Sequence, residues 1–323
     1  MWRFAGKRAL AALLVLFAIS ALVFLIFFAT PGADPAARIA GRNASQETLA
    51  QVRASFGLDQ PIPLQYVFMM RHLFWDRDLT SFVNRGVEVL PEIQQAVPVT
   101  LSLVIGAAII WLVLGIVMGV WATAARGSAI DPIIMIIGVF CISLPVYWLG
   151  EVVNLVTQNR LHDSLFAWVP PLGYASPSTG VGNWALHLLL PWITLAVLYA
   201  GVYARVLRSE MVSSMNEDYI RMARAKGISE RRVLYRHALR TSLIVIVSLF
   251  GLDFGALVGG AALLTEVVFG LQGIGKLTYD SLQNFDLPVI LGCVLYAAFF
   301  VVLANFLVDL VYAWLDPRVR HVV

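Results

Sequence analysis

Side chains able to do chemistry are scarce in this sequence, so their positions carry information. Asp253 stands in GLDFGALVGG, in the middle of an apolar stretch. Glu151 follows ISLPVYWLG, Glu266 belongs to TEVVFGLQGIGKL, and Asn305 and Asp309 lie in NFLVDLVYAWLD. An ionisable group among apolar neighbours is costly in hydrocarbon and by default faces a polar cavity or a partner. A midspan carboxylate could attract a cation or an amino group, or it could accept a structural hydrogen bond from a neighbouring helix. Gly251, Gly255 and Gly259, four apart, with Gly260 beside them, let another helix approach closely. Packing is the leading role of that segment.

Covalent and nucleotide chemistry find no foothold. Gly270-x-x-x-x-Gly275-Lys276 has most of a phosphate-binding loop, but the pattern requires Ser or Thr next, to reach magnesium. Leu277 stands there, and Thr278 comes one place late. These glycines are expected to permit a tight reversal instead. No HExxH, no GxSxG and no Cys/His cluster occurs, and the five histidines are scattered. Cys141 and Cys293 both lie in apolar runs and read as small hydrophobes. No enzyme activity, no metal and no disulfide is expected.

The elements that must position these groups follow from composition. The 323 residues are 59% hydrophobic and 13% charged, against roughly 25% charged in a soluble domain. So few charges cannot cover a globular surface, and lipid must be the solvent. The net charge of +3 is small. It points to no nucleic acid, and the placement of the charges matters more than their sum. Six segments reach the roughly 20 apolar residues a span needs: 9–29, 97–122, 132–156, 185–206, 241–265 and 288–314. The first is longer than a signal-peptide core and is expected to be a retained anchor.

Lysine and arginine near the spans set the orientation. With the N-terminus inside, Arg3, Lys7, Arg8, Arg126, Arg318, Arg320 and the basic block described next fall on one side. The short outer loops keep only Arg160 and Lys276, and Arg38, Arg42, Arg53, Arg71, Arg77 and Arg85 fall in a long first loop exempt from the rule. Both termini are expected in the cytoplasm. In that loop Ser45 is an expected N-cap, with Leu49, Val52 and Phe56 as an apolar stripe. LQYVFMMRHLFW reads as a short amphipathic helix, either a lid on the spans or a contact for an external partner.

Charge is concentrated between the fourth and fifth segments, at Arg205, Arg208, Arg221, Arg224, Lys226, Arg231, Arg232, Arg236 and Arg240. Glu217 and Asp218 precede Arg221 by four and three residues, favourable spacings on a helix, and as acids they suit its N-terminus. Tyr219, Met222, Ala223 and Lys226 are expected to share one side. Gly227 permits a left-handed turn, and Ser229 is an expected N-cap for a second helix. Arg232, Arg236 and Arg240 repeat every four residues and repel one another, so something acidic should face them. Anionic lipid is the simpler candidate, but it does not explain the helix–glycine–helix order. A docking surface for another protein does.

This block, DYIRMARAKGISERRVLYRHALR, resembles the cytoplasmic coupling loop of binding-protein-dependent ABC importer permeases. The B-type subunit of the oligopeptide/dipeptide/nickel branch is most similar, and GLDQPIPLQY, ISLPVYWLG, TEVVFGLQGIGKL and NFLVDLVYAWLDPRVR extend the likeness along the chain in order. Arg221-Met222-Ala223 stands where the wider family has Glu-Ala-Ala, and Leu239-Arg240 where it has Leu-Pro.

The resemblance implies an all-α membrane protein with six transmembrane helices and a long outer loop after the first. Its parts would be 1–30, a cytoplasmic start and first span; 31–96, an extracytoplasmic region; 97–314, a five-helix core with a coupling loop at 208–240; and 315–323, a cytoplasmic tail. It implies half of a translocation path for peptides in a bacterial inner membrane, with nickel or another small solute as the alternative cargo. Implied partners are a second permease, two cytoplasmic ABC ATPases that hold ATP and Mg, and an extracytoplasmic solute-binding protein. The resemblance also implies that this chain binds no cofactor itself. Tyr219, Arg221, Ala223, Arg224, Lys226, Gly227, Arg232 and Arg236 would dock the ATPase, and Asp253, Glu151, Glu266 and Asn305 would line or gate the path. An ion-coupled secondary transporter, the main rival, should show inverted halves, and no such repeat is evident.

Overall fold

A computed structural model describes residues 2–28, 36–37, 45–55, 57–81, 83–84, 86–158, 162–284 and 286–315. Arg38, Arg42, Phe56, Arg85, Arg160, Arg318 and Arg320 lie outside the described residues, and the side chains of Arg3 and Asp309 are likewise not described. Among the described residues the regular structure is helical, apart from one isolated bridge between Thr80 and Glu88.

The long helices are α1 (Trp2–Phe28), α4 (Val89–Ala124), α7 (Val181–Ser214), α9 (Glu230–Ala261) and α12 (Leu287–Leu315). Each contains a stretch long and apolar enough to cross a membrane. A sixth crossing requires α5 (Ile130–Ser143) and α6 (Val146–Thr157) together, bent by 92° at Leu144–Pro145. Neither half alone reaches the roughly 30 Å of bilayer hydrocarbon at 1.5 Å per residue. The third segment of the sequence is therefore a bent pair rather than one straight helix, and it crosses only with both halves acting as one broken span. The residue before a proline is pushed out of the α region, and Leu144 sits at ψ 124.

Helix α7 is longer than its apolar core of 185–206. Its 34 residues amount to about 50 Å, about 20 Å more than the hydrocarbon requires. The surplus carries Arg208 and Glu210 beyond the apolar layer toward α8 (Asp218–Ala225). Helix α9 contains two wider π-type turns, Val233–Ala238 and Leu257–Ala261. Past it come the short α10 (Leu263–Phe269) and α11 (Ile274–Asn284). Residues 215–240 thus mark one end of the bundle, and α10 and α11 the other.

The core lies between α4 and α7, where Leu103, Ala107 and Trp111 meet Leu188, Leu195, Tyr203 and Leu207, all buried. In hydrocarbon such contact is held by close van der Waals fit rather than by expulsion of water. The fit is tight. A Cβ on Gly119 would lie 2.9 Å from the Ala204 carbonyl oxygen, and one on Gly138 of α5 would lie 3.3 Å from the Gly201 oxygen of α7. The glycine stripe of α9 does the packing its spacing predicts, because Gly251, Gly255 and Gly259 face Val308, Ala304 and Val301 of α12.

A second apolar cluster closes the α11 end. Helices α2 (Gln46–Ser55) and α3 (Ile62–Arg71) come from the long first loop, and α3 continues as a π turn through Asp76. Ser45 caps α2 through its Oγ, which accepts the Thr48 N–H at 3.1 Å. Met69 and Leu73 bury themselves with Phe24, Ile93 and Val289. The Tyr66 hydroxyl meets Ser20 Oγ at 2.6 Å, and Ser81 donates to Asp286 at the start of α12. This part of the first loop is a lid packed on α1, α4 and α12.

Candidate functional site

The basic hairpin begins where α7 gives way to α8. Glu217 takes the extended N-cap position of α8, and Asp218 follows in its first turn, where a negative charge complements the helix dipole. Ile220 and Ala223, three apart, turn inward and are buried with Val233 of α9 against Met215 and Ile228. The helix stops at Gly227, whose φ of +75° is left-handed. Its N–H donates to the Arg224 carbonyl at 2.9 Å, and the Ile228 N–H donates to the Ala223 carbonyl at 3.2 Å. This paired closure satisfies two carbonyls that a helix end leaves bare. Ser229 has the extended N-cap backbone but makes no side-chain cap bond.

Arg224 then reaches across the turn. Its Nε and Nη2 donate to the two Glu230 carboxylate oxygens at 2.7 and 3.2 Å. The expected grouping of Tyr219, Met222, Ala223 and Lys226 is divided, since Ala223 faces inward while Tyr219, Met222 and Lys226 are exposed. The deciding signal was Ile220, the most apolar residue of α8, which draws Ala223 to its own side. Tyr219 still has a structural tie. Its hydroxyl meets Ser214 Oγ of α7 at 2.5 Å and donates to Thr241 Oγ1 of α9 at 3.3 Å.

Two kinds of arginine result. Arg224 is engaged within the hairpin, and Arg221 contacts Asp218 at 3.1 Å on a well-exposed surface, where such a pair contributes little. Arg231, Arg232, Arg236 and Arg240 are exposed, and among the described residues no carboxylate lies within ion-pair distance of them.

Arg208 has a different fate from the rest of the basic block. Its Nε and Nη2 donate to Asp131 Oδ1 and Oδ2 at 2.7 and 2.6 Å, tying α7 to the first turn of α5. Asp131 is buried. Sequence reasoning did not single out Asp131, and the signal available was an acid one residue from the start of an apolar segment, on the same side as Arg208.

The acids of the spans are divided by the structure. Asp253 on α9 is half-buried and accepts from the Tyr203 hydroxyl of α7 at 2.9 Å. Around it stands an aromatic wall, in which Trp111 stacks on Tyr199 at 4.8 Å and lies 6.0 Å from Phe250. Glu151 is exposed on α6 and lines a recess of about 390 Å³ with Trp148, Asn154 and Gln158. Asn305 is half-buried on α12. Among the described residues no hydrogen bond or ion pair joins any two of these three.

Glu266 is wholly buried on α10, beyond the end of α9. Its Oε1 accepts from Thr100 Oγ1 of α4 at 2.6 Å, and its Oε2 accepts from the Lys276 backbone N–H at 2.9 Å. The Thr100 oxygen in turn accepts the Ile274 N–H at 2.8 Å. Gly273 leaves room for this, since a Cβ there would run into the carboxylate. The amide-lined loop that resembles a phosphate cradle therefore holds an internal carboxylate. Lys276 Nζ pairs with Asp280 at 2.9 Å. Burial pushes the Glu266 carboxyl up to about 7, against the lowering effect of its Thr100 and backbone bonds.

Among the described residues, five long apolar helices and one sharply bent helix pair, with a basic helical hairpin at one end, define a multi-pass membrane protein. Residues 112–321 match the family described as binding-protein-dependent transport system inner membrane component, and residues 1–104 match its N-terminal membrane component. The chain belongs to this family of inner-membrane permease subunits. It is 34% identical over 322 residues to a protein of Sinorhizobium fredii designated a probable peptide ABC transporter permease, covering 98% of each chain. It is also 34% identical over 334 residues to a probable D,D-dipeptide transport system permease protein of Escherichia coli, covering 98% of this chain and 97% of that one. A glutathione transport system permease protein of Salmonella choleraesuis is 37% identical over 322 residues, with 99% and 100% covered.

Proposed function

We propose that this chain is one permease subunit of an ATP-driven peptide importer and that residues 215–240 are its docking surface for a cytoplasmic ATPase. The observation that carries the reading is the hairpin itself. It is closed internally by Gly227 and by Arg224–Glu230, yet among the described residues Arg232, Arg236 and Arg240 have no carboxylate within ion-pair distance. A ridge folded in advance and carrying unspent positive charge suits a partner with an acidic cleft. The peptide cargo is supported by the relatives, whose names concern a peptide, a D,D-dipeptide and glutathione.

In this reading the hairpin and both termini face the cytoplasm, as the positive-inside rule requires. The segment 31–96, with its lid, faces outward toward a solute-binding protein. ATP and Mg belong to two ATPase subunits, and a second permease supplies the other half of the path. Asp253, Glu151 and Asn305 are polar points along this half, while Glu266 holds the outer reversal that closes it. Tyr219, Arg221, Met222, Lys226, Arg232 and Arg236 form the contact ridge, and Ala223, Arg224 and Gly227 keep its shape. The experiment is purification of the chain from its native membrane with its bound subunits. Recovery of nucleotide-binding subunits, lost on Arg232→Glu/Arg236→Glu, is the expected result, and equal recovery with the reversed charges refutes docking through this ridge.

A further inference from the structure

The hairpin can act on the spans only through whatever holds it to them. Three connections leave it. The Tyr219 hydroxyl binds both Ser214 at the end of α7 and Thr241 on α9, so α8 is fixed to two helices at once. Met211, one turn before the end of α7, is fully buried. Ten residues before α8 begins, Arg208 makes its bidentate contact with Asp131.

Asp131 opens α5, the first half of the broken span. Along α5, Gly138 lies against Gly201 of α7 with no room for a side chain between them. Beyond the 92° bend, Asn154 of α6 donates to the Val268 carbonyl of α10 at 2.8 Å. Gly150 of α6 meets Val268 and Phe269 at 3.0 and 3.2 Å from an added Cβ. Helix α10 carries Glu266. The broken span is thus gripped by an ion pair at the hairpin end and by a side-chain hydrogen bond at the opposite end.

We infer that the α5–α6 broken span is the strut that carries hairpin movement to the α10–α11 reversal, and that Arg208 and Asp131 are the positioning residues that attach it. The inference rests on the docking reading for the origin of the movement. A bent pair suits this role because its two halves end on different partners, α5 on Arg208 of α7 and α6 on Val268 of α10. The bidentate geometry suits it because two parallel N–H···O bonds fix direction as well as distance. Arg208 is then not part of the docking ridge, although it belongs to the same run of basic residues.

The test uses the complete importer in proteoliposomes, with solute taken up per ATP hydrolysed as the readout. Arg208→Ala and Asp131→Ala are each expected to leave ATPase subunits bound and ATP hydrolysed, while uptake per ATP falls about tenfold. The exchanged pair Arg208→Asp/Asp131→Arg is expected to recover a large part of that ratio. Arg208→Lys keeps the charge without the fork and is expected to fall between. It serves as the working variant if the alanine forms do not assemble. An unchanged ratio in assembled single variants, or an exchanged pair no better than either single one, overturns the strut. Loss of ATPase binding in the Arg208 variants also overturns it, because Arg208 would then belong to the docking surface. Failure of docking itself is read separately, from Arg232→Glu/Arg236→Glu.

Discussion

Arg224 and Glu230 face each other across Gly227, joined through the guanidinium Nε and Nη2 and both carboxylate oxygens. The contact closes the hairpin before any partner arrives. A docking element folded in advance avoids the entropy a disordered loop must lose on binding. Docking affinity therefore depends on the turn as well as on the charges.

Gly227→Val puts a β-branched residue at a φ of +75°, a backbone region that costs a side-chain-bearing residue about 1–2 kcal/mol. Nothing lies within 4 Å of an added Cβ, so the backbone alone is at issue. The variant is expected to insert normally but to bind ATPase subunits more weakly and to lose uptake. Co-purification and solute uptake in membrane vesicles check this. Gly227→Asn, which tolerates the left-handed region better, should recover part of the loss.

Reversing Arg232 and Arg236 to Glu should abolish ATP-dependent uptake without loss of the protein from the membrane. Exposed charge pairs are screened by salt, so ATPase binding to the unaltered chain should weaken as ionic strength rises. Titration of the detergent-solubilised complex with salt checks this.

Asp253→Asn keeps an acceptor for the Tyr203 hydroxyl and removes the charge. Uptake of a peptide with a free amino terminus is expected to fall by about tenfold, while uptake of its N-acetylated form falls less. Equal rates for both peptides in the variant and the unaltered chain would leave Asp253 as a helix tie only.

Glu266 predicts a pH dependence whose sign can be worked out. Its folded pKa stands at about 7, against an ordinary value of 4.5. Between those values the folded form holds a proton that the unfolded form has released, so stability falls as pH rises through the window and levels off above it. Each unit is worth about 1.4 kcal/mol, which sets a ceiling of about 3 kcal/mol. Thermal unfolding of the purified chain between pH 4.5 and 8 should show the decline, and Glu266→Gln should flatten it.

Much of this was legible in the sequence because lipid imposes a coarse code. Long apolar runs must be helices, and the hairpin showed itself through Gly227 and the acids before Arg221. The role of Glu266 was hidden, because its partners Thr100 and Lys276 are 166 and 10 residues away. A carboxylate reads the same whether it faces a path or a ring of amides. The inward turn of Ala223 was signalled by Ile220 three residues before it, but their shared partner Val233 lies across the turn, a contact that no helical period predicts. The Arg208–Asp131 pair was obscured for the opposite reason. Arg208 sits in a basic run, and the run suggested one role for all its members.

The central claim is that the basic ridge on either side of Gly227 meets an ATPase on the cytoplasmic side. A photo-cross-linking residue at Met222, exposed on the ridge and carrying no charge, tests it most directly in intact cells. The account predicts capture of a nucleotide-binding subunit, reduced by Arg232→Glu/Arg236→Glu. Capture of phospholipid alone, or labelling of this position by a membrane-impermeant reagent added outside the cell, would contradict it.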